Sequence, residues 1–468
     1  MKRETPSAPY DPRYDPLVAR EPGCNQAYPP SYWVASAGTP PPDDGPVTGD
    51  LDVDVAIIGA GYTGLATAIF LAREHGIRAT VLEANRIGWG CSGSMTGGQG
   101  QFAVGRLSRS QWVARWGFET AQRIHAEVAA GFHTFENLVQ GIDCDAQPGG
   151  HFLIAHRAKI MRTLEARQQY DRKHFNYETE LIDAATLRSK YVGDAEAHGA
   201  LHEPLCISVH PMKLEYGYAR LARELGATLH PGSPVLGWET RNGVHHLRTP
   251  GGTVRARAVG VATGGYTSQT LHPQLKDRLM PILSNNAVTR RLTDAEVAAC
   301  GFKTYEALTD TRTLRFYYRF LSDNRLQMGS RSSITGADAE NPVHLKVLID
   351  GLHRKFPPLR DHAFEYSWWG WVDVSHDMMP RITHPDPKQT LYYALGYGGN
   401  GVSYSARAGQ RMAQRIAGVK DDADLPIFNS PLPLPMVLDR FESRAFSPFR
   451  RFGQRMLYHW HYLRDEML

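Results

Sequence analysis

The segment from Asp54 to Gly64 constrains the fold of this chain more than any other feature. It reads Asp-Val-Ala-Ile-Ile-Gly-Ala-Gly-Tyr-Thr-Gly, which predicts an apolar strand, a glycine-rich turn and the start of a helix. An apolar, largely β-branched strand is typical of a parallel sheet buried on both faces. Glu83 follows the last glycine at about the 20-residue distance found in dinucleotide-binding βαβ units. We therefore predict a Rossmann-like unit that begins at Leu51.

Each residue type in this motif has a physical task. Gly59 permits the tight turn, Gly61 leaves room for a pyrophosphate, and Gly64 lets the helix pack closely on the strand. The helix N-terminus offers amide groups and a partial positive charge to phosphates. Glu83 follows a predicted strand at 79–82, so it can accept hydrogen bonds from ribose hydroxyls. The alternative is an ordinary βαβ unit that binds no nucleotide.

Two further glycine-rich loops extend this prediction. The first, 87–99, lies shortly after the ribose acid, and its small residues let backbone run against a large flat ligand. The second, 396–402, opens the predicted helix 403–417, where an anion or a reduced flavin ring would be stabilised. Two such loops near opposite ends of the chain suit an elongated FAD that lies across the sheet. The alternative for each is a connecting turn with no ligand.

Bulk properties exclude several classes of protein. The chain has 468 residues, which suggests two to three domain-sized units, and its net charge of +4 does not favour a nucleic-acid partner. Its 5 cysteines form no CxxC pair, so we predict a reducing compartment and no metal site. Residues 1–16 lack the apolar core of a signal peptide, and no run of about 18 apolar residues predicts a membrane span. We expect a cytoplasmic protein.

The pattern of apolar residues predicts the other elements. The predicted helices are 63–75, 106–140, 158–191, 211–225 and 403–417. The predicted strands are 55–58, 79–82, 149–155, 227–229, 234–238, 254–264, 315–320, 326–329 and 391–396.

Six segments in order resemble the glycine oxidase/D-amino acid oxidase family of FAD-dependent amine oxidoreductases, and above all its γ-glutamylputrescine oxidase-like branch. They are 31–33 (Ser-Tyr-Trp), the 54–64 motif, 88–99, 209–211 (Val-His-Pro), 369–380 and 396–402, and they span about residues 31–418. The resemblance implies oxidation of a C–N bond by hydride transfer to flavin N5, which gives an imine that hydrolyses. The electron acceptor, O2 or a quinone, stays open, as does the oligomeric state.

The resemblance also implies an α/β fold in which a Rossmann-like FAD-binding domain is interleaved with a mixed antiparallel-sheet substrate domain. We predict an N-terminal arm and linker (1–50), a discontinuous FAD-binding domain (51–145, 196–268 and 373–425), a substrate domain (146–195 and 269–372) and a C-terminal helical tail (426–468). The tail is basic and aromatic, so it would lie either on a membrane or partner, or against its own protein or a sister subunit.

The chain departs from the family pattern at three places. Ser94-Met95-Thr96 stands where relatives carry an Arg-Asn pair. The run 367–372 (Ser-Trp-Trp-Gly-Trp-Val) lacks the arginine that clamps a substrate carboxylate, which disfavours a simple D-amino acid, although Arg315, Arg319 or Arg331 could substitute. No cysteine or histidine stands where a flavin-linking residue is expected, because Cys91 matches a packing position, so we expect non-covalent FAD.

Candidate site residues follow from the motifs and the resemblance. The predicted cofactor-binding residues are Gly59, Gly61, Tyr62, Thr63, Gly64, Glu83, Ala84, Arg86, Gly90, Cys91, Ser92, Gly97, Gly98, Gln99, Val235, Thr263, Gly264, Gly398, Gly399, Asn400, Gly401 and Val402. The candidate catalytic residues are Asn400, Trp371, His376 and Tyr318, and further candidate aromatic walls are Trp368, Trp369, Tyr317 and Tyr397. For each aromatic residue the alternative is core packing, and for His376 it is a surface or hydrogen-bonded histidine.

Three functions remain open at this point. The first is FAD-dependent oxidation of a primary or secondary amine, such as the polyamine derivative γ-glutamylputrescine. The second is an amino acid oxidase or dehydrogenase of the glycine, sarcosine or D-amino acid type. The third is a flavin-binding protein without amine turnover.

Overall fold

The fold is described from a computed structural model, which covers residues 15–19, 21–22, 26–419, 425–435 and 447–466. Parts of the predicted arm (1–14, 20 and 23–25, with Cys24) and of the predicted tail (436–446 and 467–468, with Arg440, Phe441, Arg444 and Phe446) lie outside these residues. Among the described residues, no helix combines the length and the apolar composition that a membrane span needs.

The chain alternates strands and helices throughout its length. The strands are β1 (Leu51–Ile58), β2 (Ala79–Leu82), β3 (Gln99–Gln101), β4 (Gln147–Pro148), β5 (His151–Ile154), β6 (Glu180–Asp183), β7 (Gly199–Glu203), β8 (Cys206–Ser208), β9 (Thr228–His230), β10 (Gly237–Arg241), β11 (Val244–Thr249), β12 (Gly252–Val261), β13 (Ile282–Thr289), β14 (Ala307–Asp310), β15 (Tyr317–Phe320), β16 (Leu326–Ser330), β17 (Phe364–Val372), β18 (Arg381–Thr383) and β19 (Leu391–Leu395).

The helices connect and cover these strands. They are α1 (Tyr32–Ser36), α2 (Tyr62–His75), α3 (Arg109–Trp116), α4 (Phe118–Gln140), α5 (Ile160–Phe175), α6 (Ala184–Lys190), α7 (Pro211–Glu224), α8 (Asp294–Ala299), α9 (Gly336–Ala339), α10 (Pro342–Lys355), α11 (Tyr404–Ile416), α12 (Pro426–Asn429) and α13 (Ser447–Glu466). A π-helical turn occupies Cys91–Met95, and short 3-10 turns occupy Gly264–Tyr266, Pro273–Leu275 and Pro357–Leu359.

The first sheet is built around five parallel strands in the order β19-β12-β1-β2-β9. The hairpin β10–β11 pairs with the first half of β12, and β18 pairs antiparallel with β19. The last four residues of β1 and all of β2 are buried, as expected for strands covered on both faces. Helices α2, α7 and α11 pack together beside this sheet, which confirms the predicted Rossmann-like unit.

The second sheet has the order β17-β13-β16-β15-β14-β5-β7-β6. It is antiparallel except where β14 runs parallel to β5. A small third sheet has the order β3-β8-β4. Its strands occur where the chain passes from one large sheet to the other. The fold therefore consists of a parallel nucleotide-type sheet and a mixed, mostly antiparallel sheet whose strands alternate along the chain, as the sequence predicts.

Local chemistry explains where α2 begins and ends. Gly61 is its extended N-cap, and Gly76 adopts the left-handed conformation at its C-cap, where its N–H bonds back to Ala72 and Leu71 carbonyls. The helix α7 begins with Pro211, whose missing N–H costs nothing at a first turn. Both helices confirm the predicted ranges to within a residue.

Three element predictions need correction. The predicted helix 158–191 is interrupted, because α5 ends at left-handed Asn176 and β6 then pairs with β7. The predicted helix 106–140 is divided into α3 and α4 at Gly117, where φ is +81°. The predicted strand 234–238 begins only at Gly237, and the residues before it form part of a cavity wall instead.

The described part of the N-terminal arm is anchored at Trp33, which is only 1% exposed. Its indole N–H donates to the Thr96 carbonyl at 2.8 Å, and Arg319 stacks over its ring at 5.3 Å. The Ser31 hydroxyl caps the short helix that holds it. These contacts fix residues 31–33 of the arm to the body of the protein.

Candidate active site

A cleft runs along the carboxyl ends of β1, β2 and β12. Its first half is a cavity of about 820 Å³ lined by Ile58, Gly59, Leu82, Glu83 and Thr263, among others. Ligands of open α/β sheets bind in this position, where the strands end and the following helix presents its N-terminus. The strand order and the glycine-rich turn therefore form a cavity at the position where the sequence predicts a dinucleotide site.

The glycines of the turn are required by close packing. Gly59 has φ of +103°, and a Cβ there would lie 2.7 Å from the Ala262 carbonyl oxygen. A Cβ on Gly64 would overlap the Gly59 carbonyl oxygen itself. Gly64 thus fixes the contact between helix and turn without lining the cavity, while Gly61 lies at the cavity surface.

Two carboxyl groups, half-buried Glu83 and buried Glu215, face this half of the cleft. Glu83 accepts hydrogen bonds from the N–H groups of Ala60 at 3.0 Å and Asn85 at 2.9 Å, and burial raises its pKa. Glu215, from α7, accepts from the Gly88 N–H at 3.1 Å, while its other oxygen has no partner among the described residues. Burial, and then the charge of Glu83, raises the pKa of Glu215 well above its usual value.

The second half of the cleft is a larger cavity of about 1270 Å³ that shares Gly61, Cys91, Ser92 and Gly264 with the first. It lies between the two large sheets, because strands of the second sheet contribute Ser284, Tyr317, Gly370 and Val372. Because the two cavities share these lining residues, they form one continuous, elongated cleft.

The charged lining of this second cavity is dominated by Arg106, Arg315 and Arg331. No acidic side chain of the described residues lies within ion-pair distance of any of the three. Arg106 at 3.2 Å and Arg331 at 3.4 Å both donate to the Gly398 carbonyl, and Arg315 Nε is buried without a hydrogen-bond partner among the described residues. We call these residues the arginine cluster.

Mutual repulsion and burial act on the arginine cluster. The charge of Arg331, and then burial, holds the pKa of Arg106 well below its usual value. Burial, and then Arg331, lowers the pKa of Arg315 to about 10. An anion that enters the cavity would relieve the repulsion among these guanidiniums.

Asp373 is the one carboxylate that the described cavity lining contains. It is buried at the end of β17, where it accepts from the Gly396 N–H at 2.6 Å, and burial raises its pKa to about 6. Asn400, in the glycine-rich loop before α11, also lines the cavity and donates to the Gly105 carbonyl. Both groups are held by backbone, so they are fixed before any ligand arrives.

Most predicted cofactor-binding residues line one or both halves of the cleft. They are Gly59, Gly61, Tyr62, Thr63, Glu83, Ala84, Gly90, Cys91, Ser92, Gly97, Gln99, Val235, Thr263, Gly264, Gly399, Asn400, Gly401 and Val402. Four others lie outside the lining: Gly64 packs on Gly59, Gly98 packs on the Val209 carbonyl, Arg86 stacks on Tyr28, and Gly398 turns its carbonyl toward the arginine cluster. Direct contacts between these residues and FAD stay a prediction.

Among the candidate catalytic residues, the structure brings Asn400 to the cavity but not Tyr318, Trp371 or His376. Alternate residues of a strand face opposite sides, so Tyr317 and Gly370 line the cavity while Tyr318 and Trp371 point away. The Tyr318 hydroxyl donates to buried Asp194, and Trp371 packs under Arg451 of α13.

His376 lies near Asp277, and burial, with the charge of Arg450, lowers its pKa to about 4. Of the other candidate aromatic walls, Tyr317 and Tyr397 line the cavity, whereas Trp368 and Trp369 do not. Trp368 instead donates its indole N–H to the Met95 carbonyl.

Sequence reasoning missed Arg106, Asp373 and Glu215. Arg106 begins the predicted helix 106–140 and Asp373 lies within the segment 369–380, but only the packing of the sheets shows that the two side chains face the cavity. Glu215 had a weak signal, since it falls on the otherwise apolar face of α7 with Met212 and Tyr216. Arg315 and Arg331 were named as possible substitutes for a missing carboxylate clamp, and both line the cavity, whereas Arg319 bonds to Gly97, Val209 and Gln147 instead.

The residues of the cleft fit FAD. Tight glycine packing at α2 leaves its N-terminus open to a pyrophosphate, and the unpartnered Glu215 oxygen and the Glu83 carboxylate face the ribose half. Cys91 lies where the two halves meet, and burial raises the pKa of its thiol to about 12, so it is a neutral thiol there. These features define a dinucleotide-binding protein with a second, positively charged cavity at the end of its cofactor cleft.

Comparison with known proteins assigns the family. Residues 54–415 match the DAO family, described as FAD dependent oxidoreductase, and the chain belongs to this family. It is therefore an FAD-dependent oxidoreductase.

The chain is similar to gamma-glutamylputrescine oxidoreductase of Escherichia coli (strain K12), with 33% identity over 393 residues, covering 83% of this chain and 89% of that protein. It is also similar to sarcosine oxidase subunit beta of an Arthrobacter species, with 25% identity covering 83% of this chain and 91% of that one. The crystal structure of glycine oxidase from Geobacillus kaustophilus has the same fold, with a TM-score of 0.67 and 21% identity, covering 81% of this chain and 98% of that one.

Proposed function

We propose that this protein oxidises a C–N bond in a primary or secondary amine that also carries a carboxylate. The observation that carries the proposal is the arginine cluster, which lies in the cavity directly continuous with the FAD cleft. Guanidiniums bind carboxylates through paired, charge-assisted hydrogen bonds. A substrate held by its carboxylate end would present its amine to the rest of the same cavity.

The same positive field favours the chemistry of amine oxidation. When bound, FAD supplies the acceptor for the two electrons that leave the C–N bond. Nearby cations disfavour an ammonium group, so the substrate nitrogen would bind neutral and keep the lone pair that hydride removal requires. The proton released on binding passes to solvent, and water hydrolyses the imine product. No strong protein base is needed, which agrees with a described lining that holds no lysine or histidine.

The cluster separates substrate candidates by charge. Free putrescine, a dication, would be repelled by Arg106, Arg315 and Arg331. γ-Glutamylputrescine carries a carboxylate at one end and an amine at the other, so it belongs to the proposed class. The similarity to gamma-glutamylputrescine oxidoreductase supports this member of the class.

A second candidate is an amino acid oxidase or dehydrogenase. It is favoured by the presence of Arg315 and Arg331 in the cavity, because they restore the carboxylate clamp that the run 367–372 lacks. Similarity to sarcosine oxidase subunit beta supports this reading. The two candidates differ in the distance between the carboxylate and the oxidised C–N bond.

Anaerobic mixing of the purified FAD-loaded protein with γ-glutamylputrescine, putrescine, sarcosine, glycine and D-alanine tests the proposal. Bleaching of the flavin band by γ-glutamylputrescine but not by putrescine would support a long substrate anchored by its carboxylate. Bleaching by sarcosine, glycine or D-alanine would support the amino acid candidate. Bleaching by putrescine alone would contradict the role given to the arginine cluster.

A further inference from the structure

Helix α13 lies outside the segment 54–415 that matches the family, yet it contacts elements that wall the arginine-lined cavity. Near its start, Arg451 donates to the Pro281 carbonyl at 2.7 Å and stacks over the Trp371 ring at 4.8 Å. These contacts lie at the ends of β13 and β17, whose residues Ser284 and Gly370 line the cavity. The helix is therefore packed against the outside of the substrate half of the cleft.

The last turn of α13 holds the loop that carries Arg315. This loop, 311–316, joins β14 to β15. The Asp465 carboxylate accepts from the Thr313 N–H at 2.5 Å, and Glu466 accepts from Arg312 Nε at 2.5 Å. Both partners precede Arg315 by only a few residues, so the helix fixes the backbone from which the Arg315 side chain enters the cavity.

The rest of the loop is fixed from the body of the protein. Asp310 accepts from the N–H of Phe316 at 3.0 Å and from Arg312 Nη1 at 2.6 Å. Arg312 also donates to Glu196 at 3.1 Å, so Glu466 is one of three acids around it. The Thr313 N–H, in contrast, is bound by Asp465 alone among the described residues, which makes Asp465 the more important of the two contacts from α13.

Arg315 depends on its backbone for its position. Its Nε is buried and has no hydrogen-bond partner among the described residues, and its neighbours Arg106 and Arg331 repel it. Because no described residue holds the Arg315 side chain, any shift of the loop moves its guanidinium. A small displacement of a binding group strongly reduces its contribution to binding.

We propose that Asp465 and Glu466 are positioning residues of the substrate site, which act through loop 311–316 to place Arg315 for a substrate carboxylate. Helix α13 is then a part of the active site that sets substrate affinity. The inference rests on the proposed function, because it assigns the carboxylate to the arginine cluster.

The test uses the full FAD-loaded chain and follows the flavin absorbance while acetate is added. We expect Asp465→Asn to weaken acetate binding about tenfold, the effect of about 1.4 kcal/mol in a charged contact, and Asp465→Asn/Glu466→Gln to weaken it further. With a substrate that bleaches the flavin, KM should rise by a similar factor while kcat changes less than about twofold. Arg450→Gln is the matched control, because it breaks the 2.8 Å pair with Asp277 at the other end of α13 and leaves the loop contacts intact.

A double-mutant cycle with Arg315→Ala decides whether Asp465 acts through Arg315. If it does, Asp465→Asn adds no further loss of acetate affinity in the Arg315→Ala background. Equal losses in both backgrounds, or an equal loss in Arg450→Gln, would overturn the inference and leave only a general structural role for α13. If Arg315→Ala itself leaves acetate binding unchanged, the carboxylate part of the proposed function fails as well. Should Asp465→Asn not fold, Glu466→Gln serves instead, since Arg312 keeps Asp310 and Glu196.

Discussion

The two halves of the cleft present different polar groups and are built in different ways. The half beside β2 presents half-buried Glu83 and buried Glu215, both with raised pKa values, and backbone N–H groups hold each of them. The half between the sheets presents Arg106, Arg315 and Arg331, which have no acidic partner within ion-pair distance among the described residues. One half is complementary to ribose hydroxyls, and the other to an anion.

This difference shows how the two ends acquire their specificity. In the half beside β2, which we call the ribose half, the glycine-rich turn is built by one continuous segment, in which β1, the turn and α2 fix each other by contact. The arginine half is assembled from three separate parts of the chain, the loop after β3, the start of β15 and the end of β16. A substitution in the first half should therefore reduce FAD binding by altering the shape of the turn. A substitution in the second half should reduce the affinity for an anion by altering the charge of the cavity.

The largest expected effect is at Gly64. Gly64→Ala places a Cβ against the Gly59 carbonyl, which forces α2 away from the turn, so we expect loss of bound FAD. Gly141→Ala is the matched control, because a Cβ at Gly141 meets only the Leu138 carbonyl oxygen at 3.8 Å and Gly141 lies outside both cavity linings. The flavin-to-protein absorbance ratio of the purified variants measures both. Normal FAD content in Gly64→Ala would show that the turn can relax, contrary to the shape argument.

The second-largest expected effect is on substrate affinity, and it comes from removing a positive charge from the cavity that contains the arginine cluster. Arg331→Gln removes a guanidinium from the cavity, and we expect the affinity for a carboxylate-bearing substrate to fall about 10- to 100-fold. FAD content should stay unchanged. Arg86→Gln provides the control, since Arg86 lies outside both cavity linings and stacks on Tyr28. The dissociation constant from anaerobic flavin reduction reports the effect, and a loss of FAD rather than of substrate affinity would place Arg331 in the wrong half.

Asp373 should make the stability of the folded protein depend on pH. Its pKa is raised from 3.8 to about 6, so the folded protein binds more protons than the unfolded chain between these values, and stability is lost as pH rises through this window. Asp373→Asn should therefore be more stable than the original protein at pH 7, by at most about 3 kcal/mol, because the amide oxygen can still accept from Gly396. Near pH 4 the difference should vanish. Thermal unfolding of FAD-free protein at both pH values measures it, and a constant difference would contradict the assigned pKa.

These two regions also show what the sequence can predict. The βαβ unit, the position of Glu83 and the loop before α11 follow from short contiguous patterns, and the structure has them where the patterns place them. The family resemblance extended this to the second sheet and its FAD cleft. Positions that depend on which face of a strand is turned inward were less predictable, because Tyr317 and Tyr318 differ by one residue and yet face opposite sides.

The half of the cleft that contains the arginine cluster shows which features the sequence alone does not predict. Arg106 and Asp373 are unremarkable in the sequence, since their importance comes from the approach of distant strands and loops rather than from their neighbours. Arg315 and Arg331 could be named as candidates, but neither their common cavity nor the clamp from α13 on loop 311–316 has a local pattern. Charge clusters of this kind become visible only when the packing of the sheets is known.

The smallest effects should come from Tyr317 and Tyr318, which are neighbours in β15. Comparing them distinguishes a residue of the active site from a residue of the buried core. Tyr317→Phe removes a hydroxyl that bonds Ser284 at 2.7 Å in the cavity, so kcat/KM should change several-fold while stability changes little. Tyr318→Phe removes a donor to Asp194, which lies in the fully buried network around Lys355, so we expect about 1 to 2 kcal/mol lower stability with FAD reduction unchanged. Denaturant unfolding and anaerobic reduction rates measure the pair. The opposite result, altered turnover in Tyr318→Phe alone, would mean that β15 turns its other face to the substrate and that the arginine cluster is not its binding site.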